Sequence, residues 1–324
     1  MHKLLLLLII FIVSTAQAQT LKLASDVWPP FTNVENEVHF SSDIVLEALK
    51  RSGYSAEISI IDFGDVIAQI NQSKYDGSAA LWISDERQET MLFSRPYLEN
   101  RLVLVGKKGS PVIYTELSEL RGKKLAIVPT YDYGPELRNQ KSLILAEAKN
   151  EQECLNLLLA GQVDYILLDN LLAHHLKEYQ HTDVSNFLAI GNVPMLNKSL
   201  HFAVSKNVPN AEEIINQFNA SIEEMIKDGS YNDLLNISWI LADVDNDGRQ
   251  ELVLRGDKAG TVPPEHIYQI IQSTDKAMAD ETPNRYLVQG EIYDSWNDIP
   301  EEYKSQSYNM SNNIRILSLN INKK

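Results

Sequence analysis

Ser84-Asp85-Glu86-Arg87 sets an arginine just past a short run of small and apolar residues, Ser78 to Trp82. A guanidinium at a strand end can reach into a cleft and grip a carboxylate through two parallel, charge-assisted hydrogen bonds. The same spacing also suits an arginine that only solvates the start of a helix. A second grouping lies further along: Asp243-Val244-Asp245-Asn246-Asp247-Gly248-Arg249-Gln250-Glu251. Alternate carboxylates on a tight loop converge on one point, and hard oxygen ligands in that pattern suit Ca²⁺. Asp243, Asp245, Asp247 and Glu251 are therefore candidate ligands of a structural calcium ion, with a solvated acidic turn as the alternative. Arg255 stands where an EF-hand carries its last, bidentate acid, so the loop is not an EF-hand. His174 and His175 are adjacent, and on a helix they point about 100° apart, which argues against a shared zinc ion with His181. Cys154 shares an apolar stripe with Leu155 and Leu158 and reads as buried. There is no Gly-x-Ser-x-Gly elbow and no Walker or Rossmann glycine pattern. No cofactor is required by any of these motifs.

The elements that must position these groups alternate between strand and helix. Strands are expected at 21–24, 57–61, 78–82, 101–105, 125–128, 163–168 and 201–205. Helices are expected at 41–51, 63–71, 150–159, 171–179 and 211–227. The helix at 211–227 carries the clearest stripe: Ile214, Ile215, Phe218, Ile222, Met225 and Ile226, ended by Gly229. Asn150 is placed to cap the helix that follows it. Such alternation implies an α/β fold with mainly parallel sheets, which place ligands at the carboxyl ends of their strands. After about residue 237 the rhythm changes. A hairpin around the acidic loop, a helix near 264–278 and a closing strand at 314–319 suggest a small α+β appendage.

The chain has 324 residues, too many for a single core to fill comfortably, so at least two folding units are expected. Its 29 Lys and Arg against 44 Asp and Glu give a net charge of -15, which repels phosphate backbones and makes a nucleic-acid partner improbable. One cysteine permits no internal disulfide. Met1-His2-Lys3, an apolar run at 4–13 and Ala16-Gln17-Ala18 read as a secretory signal peptide cleaved after Ala18. The apolar run is only about half the roughly 20 residues needed to span a bilayer. The expected product is exported and periplasmic.

The arginine block continues into Phe93-Ser94-Arg95-Pro96-Tyr97. It is preceded by Ala24-Ser25-Asp26-Val27-Trp28-Pro29-Pro30-Phe31, Phe40 with Asp43, and Asp62-Phe63. It is followed by Gly122-Lys123-Lys124-Leu125-Ala126-Ile127, then Gly161-Gln162-Val163-Asp164-Tyr165 with Asp169, then Asp228-Gly229-Ser230-Tyr231. This ordered set, over about residues 20–236, resembles family 3 of the bacterial extracellular solute-binding proteins, the polar-amino-acid receptors of ABC importers. The hairpin at the acidic loop resembles the calcium loops of FG-GAP and related repeats.

The family resemblance implies a two-lobe, periplasmic-binding-protein-like II clamp with two crossovers, near 106–111 and 196–200. Lobe 1 would be about 20–106 and 201–236, lobe 2 about 107–200, and the appendage 237–324. It implies that Arg87 holds an α-carboxylate, that Asp169 receives an α-ammonium, and that Trp28 and Phe63 sandwich the ligand side chain. Asp26, Ala80, Trp82, Thr130, Tyr131 and Tyr133 complete the expected site. Two departures stand out. Ala79-Ala80-Leu81-Trp82 replaces the hydroxyl residues that often receive the ligand amine, and Pro129 to Gly134 replaces a Gly-Ser/Thr-Thr type loop. The implied function is capture of a small carboxylate solute, an amino acid, by a monomer that serves an ABC permease. A dehydratase-type enzyme on the same fold and a sensory or adaptor module are the alternatives.

Overall fold

The computed structural model describes residues 20–173, 186–245, 247–256, 258–263, 268–269 and 285–304. The expected signal peptide, the three histidines, most of the helix at 171–179 and the strand at 314–319 lie outside the described residues.

The first unit builds β1 (Thr20–Ser25), α1 (Phe40–Arg51), β2 (Ser55–Ile60), α2 (Phe63–Asn71) and β3 (Gly77–Trp82). β1 pairs in parallel with both β2 and β3. The apolar stripe of α1, Ile44, Val45, Ala48 and Leu49, is buried as its spacing predicts. The short α3 (Asp85–Thr90) and β4 (Met91–Phe93) lead into β5 (Leu98–Lys107). The second unit adds β6 (Lys124–Ile127), α4 (Pro135–Arg138), β7 (Ile144–Glu147), α5 (Glu151–Leu159) and β8 (Tyr165–Asp169). β9 (Leu188–Ser205) then runs back through both units. The strand order is β2-β1-β3-β9-β5-β8-β6-β7, with β4 on β9, so one ladder of nine strands passes through both halves.

The two long strands β5 and β9 make the crossings. Leu98 to Arg101 pair only with β9, whereas Leu102 to Gly106 also pair with β8. The first crossing therefore lies upstream of the expected 106–111. The physical reason is that Leu102 to Gly106 are buried between two neighbours, as a central strand of the second unit requires. On β9 the stretch that pairs with Leu98 to Leu102 is Leu196 to Leu200. The helix α6 (Ala211–Lys227) packs its predicted stripe inward.

Beyond α7 (Ser230–Leu235), a second sheet has the order β12-β10-β11-β13-β14. Its members are β10 (Trp239–Ala242), β11 (Glu251–Leu254), β12 (Tyr268–Gln269), β13 (Tyr286–Val288) and β14 (Glu291–Tyr293). In β10, β11 and β13 successive side chains alternate between two faces, both of them buried. Ile240, Ala242, Val253 and Leu287 join the main core, while Trp239, Leu252, Leu254, Tyr286 and Val288 form a second core with Ile299. The hairpin is where the sequence places it. Of the helix expected near 264–278 only Tyr268 and Gln269 are described, and these two pair in parallel with Ile240 and Leu241. The rest of that stretch lies outside the described residues.

Candidate ligand-binding cleft

Each expected site residue follows the carboxyl end of a strand. Asp26 and Trp28 follow β1, Phe63 follows β2, Trp82 ends β3, Tyr131 and Tyr133 follow β6, and Asp169 ends β8. Local capping sets two of them. The Asp62 carboxylate accepts from Gly64 N at 2.9 Å, which starts α2 at Phe63. Ser84 caps α3 by accepting from Arg87 N. That cap turns the Arg87 side chain back under β3, where Nη1 donates to the Trp82 carbonyl at 2.6 Å. The guanidinium carbon lies 5.7 Å from the centre of the Phe63 ring. Arg87 is half-buried, and burial holds its pKa below the ordinary arginine range. Among the described residues no carboxylate lies within ion-pair distance of it.

Arg87 shares a narrow cleft with Trp28, Phe63, Ala80, Leu81, Trp82, Tyr131 and Asp132. Tyr131 stands at its centre, with ring centroids 5.4 Å from Trp28, 5.5 Å from Phe63 and 5.7 Å from Trp82. Tyr133 stacks edgewise on Trp82 at 5.7 Å and its hydroxyl accepts from Val128 N. Both indole N–H groups turn away from the cleft. Trp28 Nε1 donates to Glu151 Oε1 at 2.7 Å, and Trp82 Nε1 donates to Asn100 Oδ1 at 2.7 Å.

Three acids stand behind this aromatic wall. Burial pushes the Glu151 carboxyl up to about 8, against the opposing pull of the Trp28 hydrogen bond. Burial raises Asp169 to about 7, although Asn100 Nδ2 donates to it at 3.0 Å and Leu171 N at 2.7 Å. Burial raises Asp26 to about 6. Thus Asp169 is committed to Asn100, and through it to Trp82, and it does not line the cleft.

The structure brings Arg87, Trp28, Phe63, Ala80, Trp82 and Tyr131 together, with Tyr133, Asp26 and Asp169 packed around them. Thr130 is exposed and apart from them. The turn closed by Tyr131 N on the Val128 carbonyl swings the next ring, rather than the hydroxyl, inward. Sequence reasoning missed Asp132, Asn100 and Glu151. For Glu151 a signal existed: it is the first helical residue after the Asn150 cap, beyond β7, whose alternation is too weak to read as a strand.

The family model for the bacterial extracellular solute-binding proteins, family 3, matches residues 21–241. The chain belongs to that family. An L-cystine-binding protein, TcyJ, from Escherichia coli (strain K12) is 25% identical over 67% of this chain and 80% of its own length. An arginine-binding periplasmic protein from Mannheimia haemolytica is 24% identical over 71% and 95%. Some relatives match over less: the chain covers 49% of the ABC transporter arginine-binding protein 2 of Escherichia coli and 12% of the virulence sensor protein BvgS of Bordetella pertussis. Among solved structures, an ancestral arginine-binding protein bound to arginine is 26% identical with a TM-score of 0.57, over 67% of this chain and 96% of that one. Among the described residues no helix is long and apolar enough to cross a membrane.

The acidic loop lies beyond the family match. Asp243, Asp245 and Asp247 bring carboxylate oxygens within 4.8 Å of one another, a spacing that could hold a metal ion. Arg285 already reaches them, at 3.1 Å from Asp245, 3.0 Å from Asp247 and 2.7 Å from Glu251. Glu251 is fully buried and turned to Val244 N and Arg285.

Proposed function

We propose that this chain is a periplasmic binding protein that captures a small carboxylate-bearing solute, of the amino-acid class, for import by an ABC permease. The observation that carries the reading is Arg87: a half-buried guanidinium facing a closed aromatic cleft, with no carboxylate of the described residues paired to it. A cation so placed is costly unless a ligand anion completes it. The names of the cystine- and arginine-binding relatives support the same class. Arg87 receives the carboxylate, while Asp169 and Asp26 lie behind the aromatic wall on the side of the ligand nitrogen. The chain acts as a monomer without a resident cofactor, exported after cleavage at Ala18. Its lobes are about 20–106 with 201–236 and about 107–200, followed by the appendage at 237–324. Calorimetry with an amino-acid panel tests it: a cognate ligand binds, and is recovered unchanged after long incubation. Chemical conversion of the ligand would favour an enzyme instead.

A sensory role is the second reading, favoured by the 27% identity to BvgS over 155 residues. Capture of a membrane kinase rather than a permease by the full chain would support it. For the loop, we propose a structural Ca²⁺ held by Asp243, Asp245 and Asp247, which takes over the charge neutralisation that Arg285 supplies. Calcium should raise the thermal midpoint of the wild type and not of Asp245→Asn; equal response of both would remove the site.

A further inference from the structure

We propose that the cleft selects a carboxylate whose nitrogen is fully N-methylated, a betaine-class solute, over a primary α-amino acid. This rests on Arg87 as the carboxylate site. A primary ammonium carries three donors, and leaving them unpaired in a dry cleft is costly. The groups available to receive them are few. Ala79 and Ala80, where the family often places hydroxyls, are buried and offer no side-chain acceptor, and the Ala79 carbonyl is taken by Tyr97 Oη at 2.9 Å. The Asp169 carboxylate is already occupied by Asn100 and the Leu171 N–H and does not line the cleft. Glu151 is occupied by Trp28.

What the cleft does present is ring faces. Because both indole N–H groups are spent on Glu151 and Asn100, Trp28 and Trp82 offer their π surfaces rather than donors. Phe63 and Tyr131 add two more, with Trp28, Phe63 and Trp82 each 5.4 to 5.7 Å from the Tyr131 ring. Rings in this site already hold cations: Arg87 over Phe63 at 5.7 Å and Lys198 over Trp82 at 5.9 Å. A quaternary ammonium donates no hydrogen bond and is held by such faces. Behind the wall stand Asp26 and Asp169, neither of which has a Lys or Arg within ion-pair distance among the described residues. Arg87 and these rings line the same cleft, so a small zwitterion with its carboxylate on Arg87 places its nitrogen against ring faces. Asp132 also lines the cleft, and its Oδ1 is taken up by Arg138 at 3.3 Å and the Gly134 N–H at 3.1 Å.

The experiment is calorimetry on the mature full chain with glycine, sarcosine, N,N-dimethylglycine and glycine betaine, plus 3,3-dimethylbutanoate, the uncharged isostere of betaine. Affinity is expected to rise along the methylation series, with betaine at least about tenfold tighter than both glycine and the isostere. Affinity that falls with methylation, or no binding of any member, overturns the proposal. An isostere that binds as well as betaine also overturns it, by showing an apolar pocket rather than a cation cage. Ala80→Ser should shift the preference toward glycine. Arg87→Ala separates the two layers: loss of the whole series confirms the carboxylate contact, whereas retained betaine binding defeats that contact while leaving the methyl preference standing.

Discussion

Glu151 is a carboxyl buried in a water-poor cleft, with Trp28 Nε1 as its hydrogen-bond partner. Asp26 and Asp169 face it with like charge, and Tyr131, Tyr133 and Cys154 border it from the neighbouring loop and from its own helix. An acid whose folded pKa is raised favours folding while protonated. Its contribution is complete below the unfolded value, near 4.5, and is lost as pH rises through about 8. The ligand-free thermal midpoint should therefore fall between about pH 5 and pH 9, and Glu151→Gln should flatten the fall by about 5 °C. An unchanged pH slope in that variant would show that the buried acid does not titrate with unfolding. The sequence allowed Arg87, Trp28, Phe63, Trp82 and Tyr131 to be placed, because each follows a β-rich run or belongs to an ordered motif. It marked Glu151 only as the first residue after the Asn150 cap, and not as the partner of Trp28, which lies 123 residues away. Nor could it show that Thr130 is exposed while Tyr131 turns inward, since one turn decides between the two neighbours.

At the scale of elements, the position of Arg87 depends on β3. Gly77 begins that strand where it meets β9, and a Cβ there would lie 2.0 Å from the Ala203 carbonyl oxygen. Gly77→Ala must push the two strands apart. A destabilisation of about 1–3 kcal/mol is expected in urea unfolding, with weaker ligand binding because Trp82 and the Arg87 anchor ride on the same strand. Full stability in that variant would mean the strand pair is softer than the close approach implies. Strands with strong alternation and helices with a continuous stripe, such as Ala211–Lys227, were legible from spacing alone. Ile144–Glu147 was not, because its pattern is mostly exposed, and β9 is far longer than its apolar tail at 201–205 suggests. Tyr268–Gln269 obeys a partner strand that no local window contains.

For the whole molecule, the appendage and the clamp share a core. Ile240, Val253 and Leu287 pack with the clamp, and Asn232 Nδ2 donates to the Val253 carbonyl at 3.0 Å. Arg51 ties the preceding segment down, 2.6 Å from Asp228 and 2.9 Å from Ser230. Unfolding should therefore be a single transition that includes the second sheet. Asn232→Ala should lower its stability by about 1–3 kcal/mol by leaving the Val253 carbonyl unpartnered. Two separate transitions would show an appendage that folds alone. Fold class and the ordered motifs were readable because they are spread along the chain; the shared core was not, because it is made by one face of a late sheet. The central claim is that Arg87 holds a ligand carboxylate in the cleft between the two units. Calorimetric titration of a cognate ligand into wild type and Arg87→Ala measures it most directly. The variant should bind at least about 30-fold more weakly while keeping its fold, as loss of a charge-assisted contact requires. Equal affinity in the two proteins would contradict the claim.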